Sequence, residues 1–383
     1  MRLSPFLGGS FQFLNYKSMN KKNSISAFIL ILSSFLSFGQ TAKIPYSNFS
    51  NSLEFKGQLS FMNEANTAPD HSNWYWCVSP FEDKKGKIHL FMSRWPDGDG
   101  MKDWMSTCEF AHFVGDKPEG PFTFVSKIMD NKTVPASWMK SPHNIRIKKV
   151  DNMYVIVFIV QDSRVGNVKG QKTCLMTSKS LNGPWTPVGT DGVVVQPSTD
   201  PSHWTYNSSI GCDNPDFDKI NGKYYVYFKA GVAPDGRMHY GYAVANKLKG
   251  PYIVCDKPIT DNVSYLEDAT TFSWDGERYL LTTDNHGGNT GVFGAGILWK
   301  SDVKGEFGPF HLSNAKIGFK LLSDYTPIPP TSSYCYGTVL KFERPAVLMR
   351  KGKPAYFYAP NTCNFLGTGR PGIFVFKNNA NGE

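Results

Sequence analysis

The sequence predicts an all-β fold, a five-bladed β-propeller, and three observations carry that prediction. A strand–hairpin–strand unit recurs five times: WYWCVSPFEDKKGKIHLFMSRW (74–95), HNIRIKKVDNMYVIVFIVQD (143–162), DNPDFDKINGKYYVYFK (213–229), EDATTFSWDGERYLLTTDNH (267–286) and ERPAVLMRKGKPAYFYAPN (343–361). A repeat of tens of residues built from short strands and turns is the signature of propeller blades. Four copies are followed by a Gly-Pro turn and another short strand, at EGPFTF (119–124), GPW (183–185), GPYIV (250–254) and GPF (308–310). Finally, no heptads or long amphipathic helices occur, while 14% aromatic residues, 35 Gly and 25 Pro suit many strands and tight turns.

The elements follow in chain order. Lys21 and Lys22 precede an apolar run, Ile25 to Phe38, that ends in Ser-Phe-Gly-Gln. This pattern predicts a secretory signal starting at Met19, with residues 1–18 an upstream extension. The run is too short to span a membrane, and no Cys stands just behind it to take a lipid anchor. Residues 1–40 are therefore expected to be an upstream extension and signal peptide and 41–383 a single five-bladed propeller domain, exported to the periplasm or beyond. An apparent strand at Leu53–Met62 lies in the lead-in, and the last blade is one strand short. The N-terminal strand is expected to close the ring there, because an open seam would expose backbone groups. Two connections, 194–212 and 314–336, are long enough to be functional. The second carries Pro327, Pro329 and Pro330 and is expected to wall a pocket.

The net charge is +9 and the pI about 9.0. For an exported protein this favours anionic partners such as sulfated or uronic glycans, a solvated basic surface being the plainer alternative. Lys and Arg are dispersed, which argues against nucleic acid. The seven Cys show no CxxC or paired metal spacing, so no metal or other cofactor is required. Most should be small core residues, and a Cys335–Cys363 bridge is an alternative for that pair.

In a propeller the first strand of each blade lines the central channel and the second runs back antiparallel. Strand-one starts and strand-two ends therefore share one mouth. The starts are His143-Asn144, Asp213-Asn214, Glu267-Asp268 and Glu343-Arg344; the ends include Arg94-Trp95, Gln161-Asp162, Lys229 and Asp284-Asn285-His286. Charged groups are costly to bury unless paired, so their return at the ends of apolar strands marks a site. Structural alternatives stand beside this. Glu343-Arg344 could be an ion pair within the blade, and Asn144 and Asn214 could serve only backbone groups. Trp95, Trp104, Trp138 and Trp204 could stack on sugars or pack between blades. A divalent ion on His143, His286 and Asp284, or a structural ion on the axis, is not demanded by any spacing.

At these residues the sequence resembles the five-bladed propeller glycosidases of glycoside hydrolase family 43, over roughly residues 70–377. The resemblance implies a base in blade I, an Asp modulator in blade III and an acid Glu in blade IV. Asp213, four residues before Phe217, matches the modulator, and Glu267, nine before Gly276, matches the acid. The blade I stretch Trp74-Tyr75-Trp76-Cys77 carries no Asp. The base would come from Asp70, Asp162, Asp284 or Glu343, and Glu267 is expected to be raised in pKa by Asp213 and Asp268. His286 or His143 could serve as acid or base, as in related propeller glycosidases acting on 3,6-anhydrogalactose.

The implied function is an exported hydrolase, exo-acting on an anionic or anhydro-sugar chain. Its catalytic candidates are Glu267, Asp213, His286, Asp284 and Glu343. Its binding candidates are Arg94, Trp95, His143, Asn144, Asn214, Lys229, Asp268 and Arg344, with Arg94 and Arg344 gripping a sulfate or carboxylate. Two alternatives follow from the missing Asp. One is a propeller phosphorylase with Arg94, Lys229, His143 and Arg344 around phosphate; the other is a glycan-binding propeller without catalysis.

Overall fold

The computed structural model describes residues 44, 60–62, 73–96, 100–231, 237–325, 341–361 and 372–378. Contacts divide the chain into residues 1–41 and 42–383. The first unit, with the expected leader, lies outside the described residues, as do Asp70, Cys335, Cys363 and Pro327, Pro329 and Pro330.

The described part is five antiparallel sheets with no α-helix among the described residues. Blade I is Asn73–Glu82, Ile88–Pro96, Glu109–Gly115 and Phe122–Met129. Blade II is Met139–Val150, Met153–Asp162 and Gln171–Ser178, with Thr186–Pro187 and Val193–Val195 both on the third strand. Blade III is Cys212–Ile220, Lys223–Gly231, Met238–Ala245 and Ile253–Val254. Blade IV is Leu266–Trp274, Glu277–Asp284, Gly296–Lys300 and Lys316–Phe319. Blade V is Ala346–Arg350, Lys353–Asn361, Gly372–Lys377 and Ser60–Met62. Each first strand packs against the first strands of both neighbours, Ala346–Arg350 against Asn73–Glu82 included, so the five enclose one axis. Ser60–Met62 pairs antiparallel with Gly372–Lys377, Phe61 opposite Phe374. The rest of the expected closing strand, 53–59, lies outside the described residues.

Local chemistry sets these elements. The first hairpins of blades II to V turn on Asp151-Asn152, Asn221-Gly222, Asp275-Gly276 and Lys351-Gly352, all with both residues at positive φ. That is the type I′ geometry whose twist matches paired strands. The four Gly-Pro markers are one corner repeated, with Gly120, Gly183, Gly250 and Gly308 at φ 84, 80, 83 and 85. A Cβ at Gly120 would meet the Phe122 ring at 2.7 Å, so only glycine fits there.

The core fills the spaces between blades. Val78, Leu90 and Phe113 of blade I bury against Tyr358 and Val375 of blade V, and Val155 and Leu175 of blade II against Phe217 and Val226 of blade III. Each such side chain contributes roughly 1.5–3 kcal/mol of burial. The two ends of the chain's blade order are thus joined by the same kind of apolar interface as the others.

Candidate active site

One backbone device recurs at the head of every first strand. Cys77, Asn144, Asn214, Asp268 and Arg344 all take positive φ, at 52, 59, 47, 65 and 44. In blades I to IV the pairing register shifts just there, between Trp76 and Ser79, His143 and Arg146, Asp213 and Asp216, and Glu267 and Thr270. Neighbouring side chains on a regular strand face opposite ways. A left-handed residue at a bulge breaks that alternation. His143 with Asn144, Asp213 with Asn214, and Glu267 with Asp268 accordingly line one pocket together.

Two tiers result. The tier nearer the mouth is Trp76, His143, Asp213, Glu267 and Glu343, and all five line a pocket of about 220 Å³. The deeper tier is a hydrogen-bonded belt. The Cys77 thiol donates to Asn144 Oδ1 (2.7 Å), Asn144 Nδ2 donates to Asn214 Oδ1, and Asn214 Nδ2 donates to Asp268 Oδ1 (3.1 Å). Asp268 also accepts from the backbone N–H of Arg344.

Beneath the belt two arginines fill the axis. Arg344 Nη2 donates to the Asn144 carbonyl (3.1 Å). Arg146 donates to carbonyls of three other blades, at Val78 (2.9 Å), Pro345 (2.7 Å) and Ala269 (3.4 Å). Both side chains are 1% exposed. Burial and the Arg344 charge push the Arg146 guanidinium down to about 9. Among the described residues, no group of three or more His, Cys, Asp or Glu is arranged to hold a metal ion.

The pocket has two unlike halves. Blades I and II supply aromatic rings: Trp95 stacks on Trp74 at 6.3 Å and meets the edge of His143, and Trp104 stacks on His143 at 5.0 Å. His143 is held between two thiols, Nδ1 by Cys108 (3.1 Å) and Nε2 by Cys77 (3.6 Å). Burial, helped by Arg344, lowers it to about 3, so it stays neutral and does not meet the expectation of a titrating acid or base. Burial pushes the Cys77 thiol up to about 12.

Blades III to V supply carboxylates around buried Lys229, whose Nζ lies 3.0 Å from Glu267 and 3.5 Å from Asp213. Burial would raise Glu267, but the charges of Lys229 and Lys341 outweigh it and hold the carboxyl below its usual range. The expectation of a raised Glu267 is therefore corrected: the nearest charge is an ammonium, not a carboxylate. Glu343 is pushed up to about 7 by burial, with Asp268 and Glu267 adding to it against its ion-pair partner Lys341. Asp213 rises to about 7, mainly by burial. Two buried polar atoms of the lining have no protein partner, Asp213 Oδ1 and Asp268 Oδ2. Such atoms are rare in native interiors and mark places where a ligand's polar groups fit.

Most sequence candidates converge. Trp95, His143, Asn144, Asp213, Asn214, Lys229, Glu267, Asp268 and Glu343 all line the pocket. Others do not. Arg94 is paired with Glu109 at 2.7 Å and lies over Phe124, apart from Arg344, so the two do not form a clamp. Asp284 is fully buried, its oxygens taken by Asn289 and Thr290 of its own turn. Asp162 is claimed by Arg164 and Lys172. His286 is exposed, stacked on Tyr265 at 4.2 Å, with its charge bearing on Glu267 from outside the lining. Glu343 pairs with Lys341 rather than with Arg344. Trp204 packs on Phe228 and Trp138 lies against Arg164 and Lys172, so neither faces the pocket.

Sequence reasoning missed Trp76, Gln171, Val168, Ile210 and Lys341. Trp76 had a signal. His143, Asp213, Glu267 and Glu343 each stand nine residues before the second residue of their hairpin turn, and Trp76 stands ten before Gly86. It occupies in blade I the place the others hold in theirs.

No protein-family model and no curated protein sequence matches the chain. Solved structures do. A family 117 glycoside hydrolase of the marine bacterium Zobellia galactanivorans superposes with a TM-score of 0.57 at 14% identity, over 80% of this chain and 85% of that one. A family 43 enzyme of Xanthomonas citri, complexed with xylose, gives 0.53 at 11% over 86% and 93%. The Bacillus subtilis arabinanase of family 43 gives 0.52 at 12% over 79% and 94%. The fold is that of the family 43 and family 117 glycoside hydrolases. At these identities the likeness is one of architecture, and the five-bladed ring is what this propeller shares with them.

Proposed function

We propose that this protein is a glycoside hydrolase that takes the terminal sugar of a chain end-on into the axial pocket. The observation that carries the reading is one small pocket holding carboxyl groups of opposed protonation, Glu267 held ionised by Lys229 and Glu343 pushed up to about 7, against a tryptophan wall. Environments that drive two carboxyls apart assign acid and base roles. Glu267 takes a proton from water as the water oxygen attacks the anomeric carbon. Glu343 gives its proton to the departing glycosidic oxygen as that bond breaks. Exchange with solvent resets both. Asp213 keeps Lys229 in place, and half-buried Trp104 offers a flat apolar face to the sugar ring, with fully buried Trp95 packed behind the wall.

Three finer points belong to this reading. The arginines beneath the belt close the pocket floor, which supports exo action, and they take the axial position that an ion would otherwise fill. The lining that a sugar would touch has four carboxyl groups and one lysine, with both arginines outside it, so a neutral sugar unit fits there better than an anionic one. Export rests on the Lys21-Lys22 and Ile25–Phe38 pattern. A phosphorolytic reading loses support because Arg94 and Arg344 do not line the pocket, and phosphate would face the carboxylates.

A second reading, a glycan-binding propeller without turnover, is favoured by Trp76 standing where the blade I base is implied. Mass-spectrometric product analysis over a panel of neutral, sulfated and uronic oligosaccharides decides between them. Release of a monosaccharide by the wild-type protein, lost in Glu267→Gln with binding retained, is the expected result. Binding without any product across the panel would establish the second reading instead.

A further inference from the structure

Beside the axial pocket lies a larger one, of about 480 Å³, between blades I and II on the same mouth. The two share their walls. Trp104 lines the first and Met105 the second; Val168 lines the first and Asn167 the second. Strand register joins them as well, with Gln161 opposite both Lys140 and Gln171, the latter an axial-pocket residue.

The chemistry of the second pocket is the reverse of the first. Its one carboxylate, Asp162, has its oxygens taken by Arg164 (Nε to Oδ1, 2.7 Å) and Lys172 (3.2 Å). Neither Arg164 nor Lys172 lines the pocket, but together they neutralise Asp162 from behind, which leaves exposed Lys140 as the unopposed charge of the lining. Gln161 is 7% exposed, and its Nε2 has no protein partner. A buried amide donor left unpaired in a pocket wall calls for an acceptor from the ligand. A pocket with a lysine, an unpartnered amide donor and an already paired carboxylate, adjoining a carboxylate-rich one, sorts its occupants by charge.

We propose that the pocket at Gln161 and Lys140 is a second subsite, which takes an anionic sugar unit, sulfated or uronic, next to the neutral terminal unit in the axial pocket. This rests on the glycosidase reading for its substrate class, but its recognition chemistry stands on the pocket itself. The arrangement also gives Lys140 a place in substrate choice, on the leaving-chain side of the bond to be cleaved.

The test is equilibrium binding by calorimetry at fixed ionic strength, with wild-type protein, Lys140→Met and Gln161→Leu. The probes are matched neutral, sulfated and uronic trisaccharides. An anionic trisaccharide should bind about tenfold or more tighter than its neutral counterpart, the range of a charge-assisted hydrogen bond. That preference should fall to near unity in Gln161→Leu and severalfold in Lys140→Met. Lys140 is exposed, so its variant keeps the test open if Gln161→Leu fails to fold. The sulfated and uronic arms separate the two anion types. Equal binding of neutral and anionic probes, or an anionic preference that survives both substitutions, overturns the subsite. Because the readout is binding, a preference that depends on Gln161 without any turnover would sink the hydrolase reading and leave the subsite standing. Turnover without a preference would do the opposite.

Discussion

The outer corners and the inner ring of this propeller repeat in opposite ways. At the outer corners the residues recur: Gly-Pro four times, each glycine within a few degrees of φ 83. At the inner ring the backbone recurs while the residues diverge. Cys77, Asn144, Asn214, Asp268 and Arg344 share one left-handed conformation, though none is a glycine. Left-handed backbone in non-glycine residues costs about 1–3 kcal/mol each and survives only where surroundings enforce it. Here the belt of hydrogen bonds and the arginines below enforce it. The difference teaches that the corner is a construction rule and the ring a socket, fivefold in shape, into which each blade plugs a different chemical group.

The comparison breaks most visibly at Glu343. Glu343→Gln should lower kcat by about 10²- to 10⁴-fold, the range for a lost general acid, with thermal unfolding nearly unchanged. Kinetics on the sugar released from the oligosaccharide panel, beside a melting curve, measures both. Next is Arg146→Met, which should cost about 3 kcal/mol or more in urea unfolding, because carbonyls of three blades lose their donor at once. A loss under 1 kcal/mol would mean the axis is held by packing alone.

Gly120→Ala tests the other side. It should cost about 1–3 kcal/mol through strain at positive φ and the Phe122 ring, with kcat/KM unchanged. A kinetic effect would show that corner and ring are coupled.

The smallest effect is a shift in pH profile. Catalysis needs Glu343 protonated and Glu267 ionised, so kcat/KM should fall on the alkaline side near pH 7 and on the acid side below the ordinary carboxylate range. Lys341 stabilises the Glu343 anion, so Lys341→Met should move the alkaline limb to higher pH. A downward shift would rule out Glu343 as the group responsible. The same group bears on stability. Its folded pKa lies above the unfolded one, so the folded state binds more protons and stability falls as pH rises through about 7.

The fold was legible because strand, hairpin and corner each leave local marks. The Asn-Gly and Asp-Gly turns and the Gly-Pro pairs say where a blade bends, whatever it packs against. The mouth was legible as well, since strand ends that carry His143, Asp213, Glu267 and Glu343 at equal spacing must converge on an axis. What stayed hidden is which neighbour claims a side chain. Arg94 sits at a strand end like the rest, but Glu109 on the adjoining strand takes it, and Asp284 is consumed by its own turn. Lys229 was placed at the mouth, yet only the cross-strand register opposite Asp213 puts its ammonium between two carboxylates and reverses the expected state of Glu267. Trp76 was masked by a blade I hairpin one residue longer than the others.

The arginine pair on the axis has one more consequence. A pocket lies on either side of it, the second lined by Arg146, Ser79 and Thr270, and the guanidiniums stand between them as a bulkhead. On the proposed exo reading, and among the described residues, a sugar freed in the axial pocket would leave by the mouth it came through, where the shortened chain still stands. Departure of the chain would then precede departure of the sugar, and a free sugar in the medium would queue at the same entrance. Turnover in such a cul-de-sac would be governed by traffic as much as by chemistry.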